Sequence, residues 1–218
     1  MLNDHHGVMF DLDGTLLDTL EDIADSNNAV LEQMGFPTFD VQSYKEIVGD
    51  GIHNQAWRVL PEGHRDDATV DRVVDALRRE YARRWADKTR PYDGIPELLS
   101  ALQGRGFTLC VLSNKDEGFT RRSVERFLPD HEFAVVHGAR AGVPLKPDPT
   151  AALETAEEAG LAPEEFYYLG DTNTDMRTAD AAGMYAVGVL WGFRKAQELE
   201  ENGADALIEK PVELLELL

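Results

Sequence analysis

Short apolar runs alternate with amphipathic stretches along most of the chain. Five apolar runs have the length of buried strands: Gly7–Leu12, Phe107–Leu112, Phe133–Val136, Phe166–Leu169 and Met184–Val189. Between them, four stretches carry a helical pattern: Ile95–Gly104, Glu117–Phe127, Pro149–Gly160 and Asp175–Ala182. Strands that alternate with helices predict βαβ units and a parallel sheet, and near-continuous apolar strands fit a sheet covered on both faces.

The stretch from Thr19 to Asp87 breaks this alternation, because it contains no convincing strand. Apolar residues recur there at helical spacing, first in Ile23, Val30, Leu31 and Met34, and later in Val70, Val73, Val74, Leu77, Tyr81 and Trp85. The pattern predicts an α/β fold with a Rossmann-like parallel sheet, formed by residues 1–15 and 92–218. An all-helical domain, residues 16–91, is inserted after the first strand.

The charge of the chain limits its partners. Acidic residues outnumber basic ones by 41 to 21, which gives a formal net charge of −20 over 218 residues. Nucleic acid and anionic membrane surfaces are therefore not expected as partners. An anionic substrate requires a local cation, and a bound divalent metal is one way to supply it.

The sequence also predicts a cytoplasmic location. No apolar run approaches the length that spans a bilayer, and no basic segment precedes an apolar one at the N-terminus, so we expect neither a membrane span nor a signal peptide. Cys110 is the single cysteine, which excludes an internal disulfide.

Two acidic residues, Asp11 and Asp13, follow the first predicted strand. Ligands of open α/β sheets bind beyond the carboxyl ends of the strands. Two carboxylates placed there repel each other unless a cation neutralises them. A turn or helix cap is the structural alternative, but it explains poorly why both acids and Gly14-Thr15 come directly after an apolar strand.

Three later segments place further polar residues near strand ends or helix starts. Ser113 and Asn114 offer a hydroxyl and backbone amides suited to phosphate, Lys146 lies in a proline-stiffened loop, and Asp171 and Asp175 offer oxygen ligands that suit Mg²⁺. Each segment also has a structural interpretation as a helix cap or a surface lysine. The four segments together predict one site for phosphate chemistry.

This combination resembles the haloacid dehalogenase superfamily over essentially the whole chain. Asp11 to Thr15 is similar to its first motif, Ser113 to its second, Lys146 to its third, and Gly170 to Asp175 to its fourth. The helical insert resembles the helical cap of the family.

Two stretches resemble the phosphoglycolate phosphatase-like branch. They are Val48–Ile52 in the cap, and Trp191–Arg194 followed by Gly203–Asp205 near the C-terminus. By this resemblance Gly49, Asp50 and Gly51 contact the substrate.

The resemblance implies a role for each motif residue. Asp11 is the expected nucleophile, which forms an aspartyl-phosphate, and Asp13 is the expected general acid and then general base. Ser113 and Asn114 hold phosphoryl oxygens, and Lys146 screens their charge.

The expected ligands of the metal ion follow from the same resemblance. Mg²⁺ is held by a carboxylate oxygen of Asp11, the backbone carbonyl of Asp13 and the side chain of Asp171. Asp175 positions Lys146 or a metal-bound water.

Several residues discriminate among the reactions of the family. Dehalogenases lack an acid at the position of Asp13, mutases often carry valine at the position of Thr15, and the context of Lys45 does not resemble the cap lysine of a phosphonatase. We therefore expect magnesium-dependent hydrolysis of a small phosphate monoester, with phosphoglycolate as the best single guess. Pyrophosphatase, sugar-phosphate phosphatase and β-phosphoglucomutase-like phosphotransferase activities stay open.

A rival of another class is a non-catalytic regulator that binds a phosphorylated metabolite. An intact nucleophile, acid, lysine and metal ligand argue against it, because binding alone needs no nucleophile. The expected partner is a small phosphorylated metabolite, and the chain is expected to be a monomer or a homodimer. The sequence does not fix the substrate, the oligomeric state or the resting position of the cap.

Overall fold

The computed structural model describes residues 6–218. The predicted core begins at residue 1, and its first five residues lie outside the described range. Within the described range, the chain divides into two compact units, one formed by residues 6–17 and 91–218 and the other by residues 18–90.

The strands, in chain order, are β1 (Gly7–Phe10), β2 (Leu17–Asp18), β3 (Arg90–Pro91), β4 (Thr108–Asp116), β5 (Val135–Ala139), β6 (Phe166–Gly170), β7 (Tyr185–Val189) and β8 (Ala206–Ile208). The α-helices are α1 (Leu20–Met34), α2 (Tyr44–Ile47), α3 (Ile52–Val59), α4 (Asp67–Arg84), α5 (Ile95–Gly104), α6 (Glu117–Phe127), α7 (Thr150–Ala159), α8 (Asn173–Ala182), α9 (Ala196–Glu201) and α10 (Leu214–Leu217). Single 3-10 turns occur at Val41–Ser43, Glu62–His64, Pro163–Glu165 and Pro211–Glu213.

The larger unit is built on a six-stranded parallel sheet in the order β5-β4-β1-β6-β7-β8. Strand β1 lies in the middle, with Phe10 beside Val111 of β4 and Leu169 of β6. Because all six strands run the same way, the residues that follow β1, β4 and β6 meet at one edge.

Alternate residues of each strand point to opposite faces of the sheet, and both faces are buried. On one face, Val8 and Phe10 pack with the leucines of α5. On the other, Met9, Cys110 and Tyr168 pack with apolar residues of α7 and α8. The predicted parallel sheet covered on both faces is confirmed.

The smaller unit is helical. The predicted apolar stripes of α1 and α4 are buried at Ile23, Val30, Leu31, Val70, Val73, Val74 and Leu77, and the two helices pack together. Met34, which the pattern includes in the first stripe, is exposed because α1 ends there, at Gly35 in a left-handed conformation.

Within residues 6–218, no helix is both long enough and apolar enough to cross a bilayer. The strand β8 is absent from the sequence prediction, which ends the sheet at Met184–Val189. The four helices predicted in the core agree with α5, α6, α7 and α8 to within two residues at each end.

Candidate active site at the carboxyl edge of the sheet

Lys146 is the centre of a buried ionic cluster at this edge. Its Nζ lies 2.8 Å from Asp11 Oδ1, 2.6 Å from Asp175 Oδ1 and 3.1 Å from the carbonyl oxygen of Leu112. The lysine side chain is 2% exposed, so these three acceptors replace the water that the ammonium loses on burial. The sequence motifs of β1, the Lys146 loop and α8 therefore meet at one point.

The loop that carries Lys146 is fixed by Asn114 of β4. The Asn114 side chain donates to the carbonyl oxygen of Lys146 at 3.0 Å and accepts from its backbone N–H at 2.9 Å. These two bonds give Asn114 a bracing function in the structure. Its predicted contact with a phosphoryl oxygen stays a prediction.

Asp175 divides its two oxygens between the helix and the lysine. Its Oδ2 accepts from the backbone N–H and the hydroxyl of Thr172, which forms a capping box at the start of α8. Its Oδ1 accepts from Lys146. Because the cap fixes the carboxylate, Asp175 orients the ammonium toward Asp11.

Asp171, directly after β6, is held by two segments that are distant in sequence. Its Oδ1 accepts from the hydroxyl of Thr15 at 3.1 Å, and its Oδ2 accepts from the backbone N–H of Phe193 at 2.7 Å. The indole N–H of Trp191 donates to the carbonyl oxygen of Thr15 at 3.0 Å. The Trp191–Arg194 stretch thus fixes the Asp171 carboxylate.

Two glycines allow the backbone to approach Asp171 this closely. Gly14 has a φ of +91°, and a Cβ there would lie 2.3 Å from Asp171 Oδ2. A Cβ on Gly192 would lie 2.3 Å from Asp171 Cβ and 2.5 Å from the carbonyl oxygen of Gly14. Both positions therefore require glycine for packing against the acid.

Asp13 has a cationic partner of its own. The Nζ of Lys115 lies 2.9 Å from Oδ1 and 3.0 Å from Oδ2 of Asp13. The two side chains are 8% and 19% exposed, so this ion pair is partly shielded from water. The two lysines thus serve different acids.

The position of Lys115 follows from an irregularity in β4. The pairing of β4 with β5 shifts register between Leu112 and Asp116. Such bulges re-aim side chains at functional edges of sheets. Here the shifted residues include Ser113, which is 4% exposed and whose hydroxyl accepts from the Lys115 N–H at 3.4 Å.

The charges of the cluster do not balance. With all groups ionised, four carboxylates (Asp11, Asp13, Asp171 and Asp175) face two ammonium groups, Lys115 and Lys146. Burial, opposed by Lys146 and reinforced by the neighbouring Asp175 carboxylate, raises the pKa of Asp11 to about 7. Burial and the negative charges of Asp175 and Asp11 raise the pKa of Asp171 well above its ordinary value. Burial works against the charged form of Lys146, but the two carboxylates it contacts raise its pKa well above the usual value.

These observations fit a divalent cation. One carboxylate oxygen from each of Asp11, Asp171 and Asp175 lies within 4.8 Å of the others, and all three residues are buried. Carboxylate oxygens are the donors that hard divalent cations prefer. A charge of +2 would neutralise the excess of the ionised cluster. The predicted metal set contains the backbone carbonyl of Asp13 instead of Asp175, and that choice stays a prediction.

The remaining predicted substrate residues lie in the helical unit. Gly49 and Gly51 have φ values of 127° and 95°, and they flank Asp50 at the start of α3. The Asp50 carboxylate is paired with the Arg58 guanidinium, which also donates to the carbonyl oxygen of Ile47 at 2.9 Å. The loop is therefore well fixed inside its own unit, and its contact with substrate stays a prediction.

The structure brings Asp11, Asp13, Ser113, Asn114, Lys146, Asp171 and Asp175 together at one edge of the sheet, as the motifs suggest. Sequence reasoning missed the polar contacts of Lys115, Thr15 and the Phe193 N–H. Two of the three residues have a signal in the sequence, since Thr15 directly follows Asp13-Gly14 and Lys115 directly follows Ser113-Asn114.

Comparisons with known proteins agree with this geometry. The pattern of the haloacid dehalogenase-like hydrolases matches residues 8–189. A phosphoglycolate phosphatase of Aquifex aeolicus is 30% identical over 97% of this chain and 95% of its own length, and one of Nitrosospira multiformis is 32% identical over 97% and 94%. The crystal structure of a predicted phosphatase from Clostridium acetobutylicum superposes with a TM-score of 0.88 at 26% identity, covering 98% of this chain and 97% of that one.

Proposed function

Because the chain belongs to the haloacid dehalogenase-like hydrolase family, we propose that it is a magnesium-dependent phosphatase that uses Asp11 as its nucleophile. The observation that carries the proposal is the buried cluster of Asp11, Lys146, Asp171 and Asp175. A structural cluster would pair its charges, whereas this one leaves an excess of carboxylate that suits a cation and a phosphate.

In the first step an oxygen of Asp11 attacks phosphorus, and the bond from phosphorus to the ester oxygen breaks. Lys146 holds Asp11 Oδ1, which fixes the carboxylate plane. Asp13, which must enter this step in its protonated form, gives its proton to the departing alcohol oxygen, and the phosphoryl group is left on Asp11. Ser113 and the neighbouring backbone amides hold phosphoryl oxygens.

In the second step Asp13 accepts a proton from water, which attacks the aspartyl-phosphate. Phosphate leaves and the Asp11 carboxylate is restored. One residue thus acts as acid and then as base, which requires that it return to its starting protonation state in each cycle.

Asp11 and Asp171, with the backbone carbonyl of Asp13, would hold the magnesium ion. Bound there, it would neutralise the negative charge that develops on the phosphoryl oxygens. The two carboxylates that would hold the ion are themselves held by hydrogen bonds. Thr15 and the Phe193 N–H fix Asp171, and Lys146 fixes Asp11.

The candidate substrate is phosphoglycolate. This choice is supported by relatives that are named phosphoglycolate phosphatases and that align with this chain over almost their full length. Pyrophosphate, sugar phosphates and a phosphomutase reaction are the alternatives on the same core chemistry. We assign the choice among them to the helical unit as a cap, with Gly49, Asp50 and Gly51 as contacts. Cytoplasmic location and a monomeric or dimeric state stay predictions from the sequence.

The test is a screen of phosphorylated metabolites for phosphate release with magnesium present. We expect turnover of phosphoglycolate, no turnover with a chelator in place of the metal, and no turnover by Asp11→Asn. The matched control is Asp130→Asn, which changes an exposed acid in the same way. An acid-quenched reaction should carry a phosphoryl group on the peptide that contains Asp11.

Normal activity of Asp11→Asn would reject the covalent mechanism, and full activity without divalent metal would reject the metal assignment. A regulator that only binds phosphorylated metabolites would show saturable binding without phosphate release. Binding without phosphate release for every substrate tested would reject the phosphatase hypothesis in favour of the regulator hypothesis.

A further inference from the structure

The loop that carries Lys146 joins strand β5 to helix α7, and a histidine of β5 ties these two elements together. The loop comprises residues 140–149. The Nδ1 of His137 lies 3.0 Å from the hydroxyl oxygen of Thr155 on α7, and its Nε2 lies 3.2 Å from Glu158 Oε2 on the same helix. His137 and Thr155 are 5% and 0% exposed, so the hydrogen bond between them is shielded from water.

Helix α7 depends on such a tie because its packing surface consists of small residues. The buried residues of α7 are Ala151, Ala152, Thr155 and Ala156. Alanine methyl groups form shallow ridges, which determine the position of a helix along its own axis only weakly. Leu153, the large apolar residue of α7, is 40% exposed and adds little to this packing. A second tie, the ion pair of Arg140 with Glu154, is partly exposed and therefore weaker than the one from His137.

The connection from α7 back to Lys146 is short and stiff. Only Pro147, Asp148 and Pro149 separate Lys146 from Thr150, the first residue of α7. The proline rings fix the backbone angle φ at two of these three positions. The Asp148 carboxylate accepts from the Thr150 N–H at 2.9 Å, which joins the connection to the helix. A displacement of α7 is therefore transmitted to Lys146.

We infer that His137 is a positioning residue that acts through α7 on the ammonium group of Lys146. That ammonium lies 2.8 Å from Asp11 and 2.6 Å from Asp175, and a shift of the loop changes these distances directly. Asn114 holds the backbone of Lys146 from β4, and His137 holds the helix on the other side of the loop. The consequence for catalysis rests on the phosphatase function proposed above.

The tie persists in both protonation states of the ring. Burial, together with the positive charge of Arg140, lowers the pKa of His137, so the ring is neutral near pH 8. A neutral ring accepts the hydrogen of the Thr155 hydroxyl at Nδ1 and carries its own hydrogen on Nε2, which faces Glu158. A charged ring donates from Nδ1 instead, and the hydroxyl then donates to the carbonyl oxygen of Ala151 at 2.7 Å.

The experiment measures hydrolysis of p-nitrophenyl phosphate with magnesium by variants of the tie and by matched controls. His137→Leu and the nearly isosteric Thr155→Val remove the hydrogen bond, whereas His137→Asn keeps an amide close to the position of Nδ1. His131→Leu is the first control, because it removes a histidine that contacts Gln103 of α5. Thr178→Val is the second, because Thr178 is a buried threonine of α8 that donates to the carbonyl oxygen four residues earlier, as Thr155 does in α7.

We expect His137→Leu to lower kcat by roughly tenfold to a hundredfold, because misplacing a group of the reaction by about 1 Å has an effect of that order. The KM should change little, since the lysine acts on the nucleophile. Thr155→Val should lower kcat in the same way, and the double variant should be no worse than His137→Leu, because both substitutions remove one bond. His137→Asn should recover most of the activity, and both controls should keep it.

A second measurement follows the position of the ammonium group without reference to catalysis. Burial and three acceptors slow the exchange of the Lys146 ammonium hydrogens with water, so we expect a resolved proton–nitrogen NMR signal that is missing from Lys146→Met. This signal should shift or broaden in His137→Leu and Thr155→Val, and it should stay in place in His137→Asn and in both controls.

A kcat of His137→Leu and Thr155→Val equal to that of their controls would overturn the inference. So would a lowered kcat with an unchanged ammonium signal, because His137 would then act by a route other than Lys146. If the wild-type protein hydrolyses no phosphate ester while the ammonium signal responds as expected, the phosphatase function is rejected and the placement of Lys146 by His137 is supported.

Discussion

Replacing Lys146 with methionine tests the ionic cluster by stability alone. Lys146 is 2% exposed and its partner Asp175 is 1% exposed, so the substitution leaves two buried carboxylates without their cation. Removing one member of such a buried pair costs about 3–5 kcal/mol of unfolding free energy. We expect a loss of that size in metal-free buffer near pH 8, measured by urea denaturation followed by circular dichroism.

The loss should shrink as the pH falls. Burial raises the folded-state pKa of Asp11 from 3.8 to about 7 even with Lys146 present, so the folded state binds more protons than the unfolded state between these values. Stability from this group is therefore full below about pH 4 and falls as the pH rises through 7. Lys146→Met should raise the folded-state pKa of Asp11 further, because it removes the group that opposes the rise.

A double variant sharpens the test. Asp175→Asn keeps an acceptor for Thr172 but removes one negative charge, so the pair Lys146→Met with Asp175→Asn should recover part of the stability lost by Lys146→Met alone. A destabilisation by Lys146→Met below about 1 kcal/mol, or one that is the same at pH 5 and pH 8, would refute a tightly coupled buried cluster.

Further predictions concern the metal, the packing around it and the helical unit. Magnesium at one hundred times its dissociation constant should stabilise chelator-treated enzyme by about 2.7 kcal/mol, seen as a higher melting temperature, while sodium at matched ionic strength should not. Gly192→Ala should weaken magnesium binding at least about tenfold in calorimetry, because its Cβ would displace the Asp171 carboxylate; unchanged affinity would contradict the packing argument. Asp22→Ala should destabilise the protein by roughly 2–3 kcal/mol, since its buried carboxylate accepts from the backbone N–H and hydroxyl of Thr89. Asp25→Ala, which removes a more exposed ion pair, should cost less than about 1 kcal/mol, and equal losses from these two variants would contradict this reasoning.

The sheet and most of the site follow from local sequence. Apolar runs that end in acids predict both the strands and the edge at which those acids meet, because parallel strands present their carboxyl ends together. This reasoning does not predict strand β8, because Ala206–Ile208 is too short to show a periodic pattern of apolar and polar residues.

Except for the capping box of Asp175 with Thr172, the contacts that orient the acids join residues distant in sequence and could not be predicted from a local pattern. Lys115 and Asp13 are 102 positions apart, and Thr15 and Asp171 are 156 apart. The bond from the Phe193 N–H involves a backbone atom, which every residue except proline offers, so no residue type reveals it. The register shift in β4 that turns Lys115 depends on pairing with β5.

The anchoring of Asp171 by Phe193 sets the order in which the protein becomes competent during synthesis. Asp11 leaves the ribosome early, but Asp171, the acid proposed to share a metal ion with it, gains its second hydrogen bond only after the chain has grown past Phe193. A nascent chain that stops before this residue has every acid of the cluster but lacks one of the two donors that hold Asp171. We therefore expect a product terminated before Phe193 to be inert, although it contains Asp11, Asp13, Lys146 and Asp171.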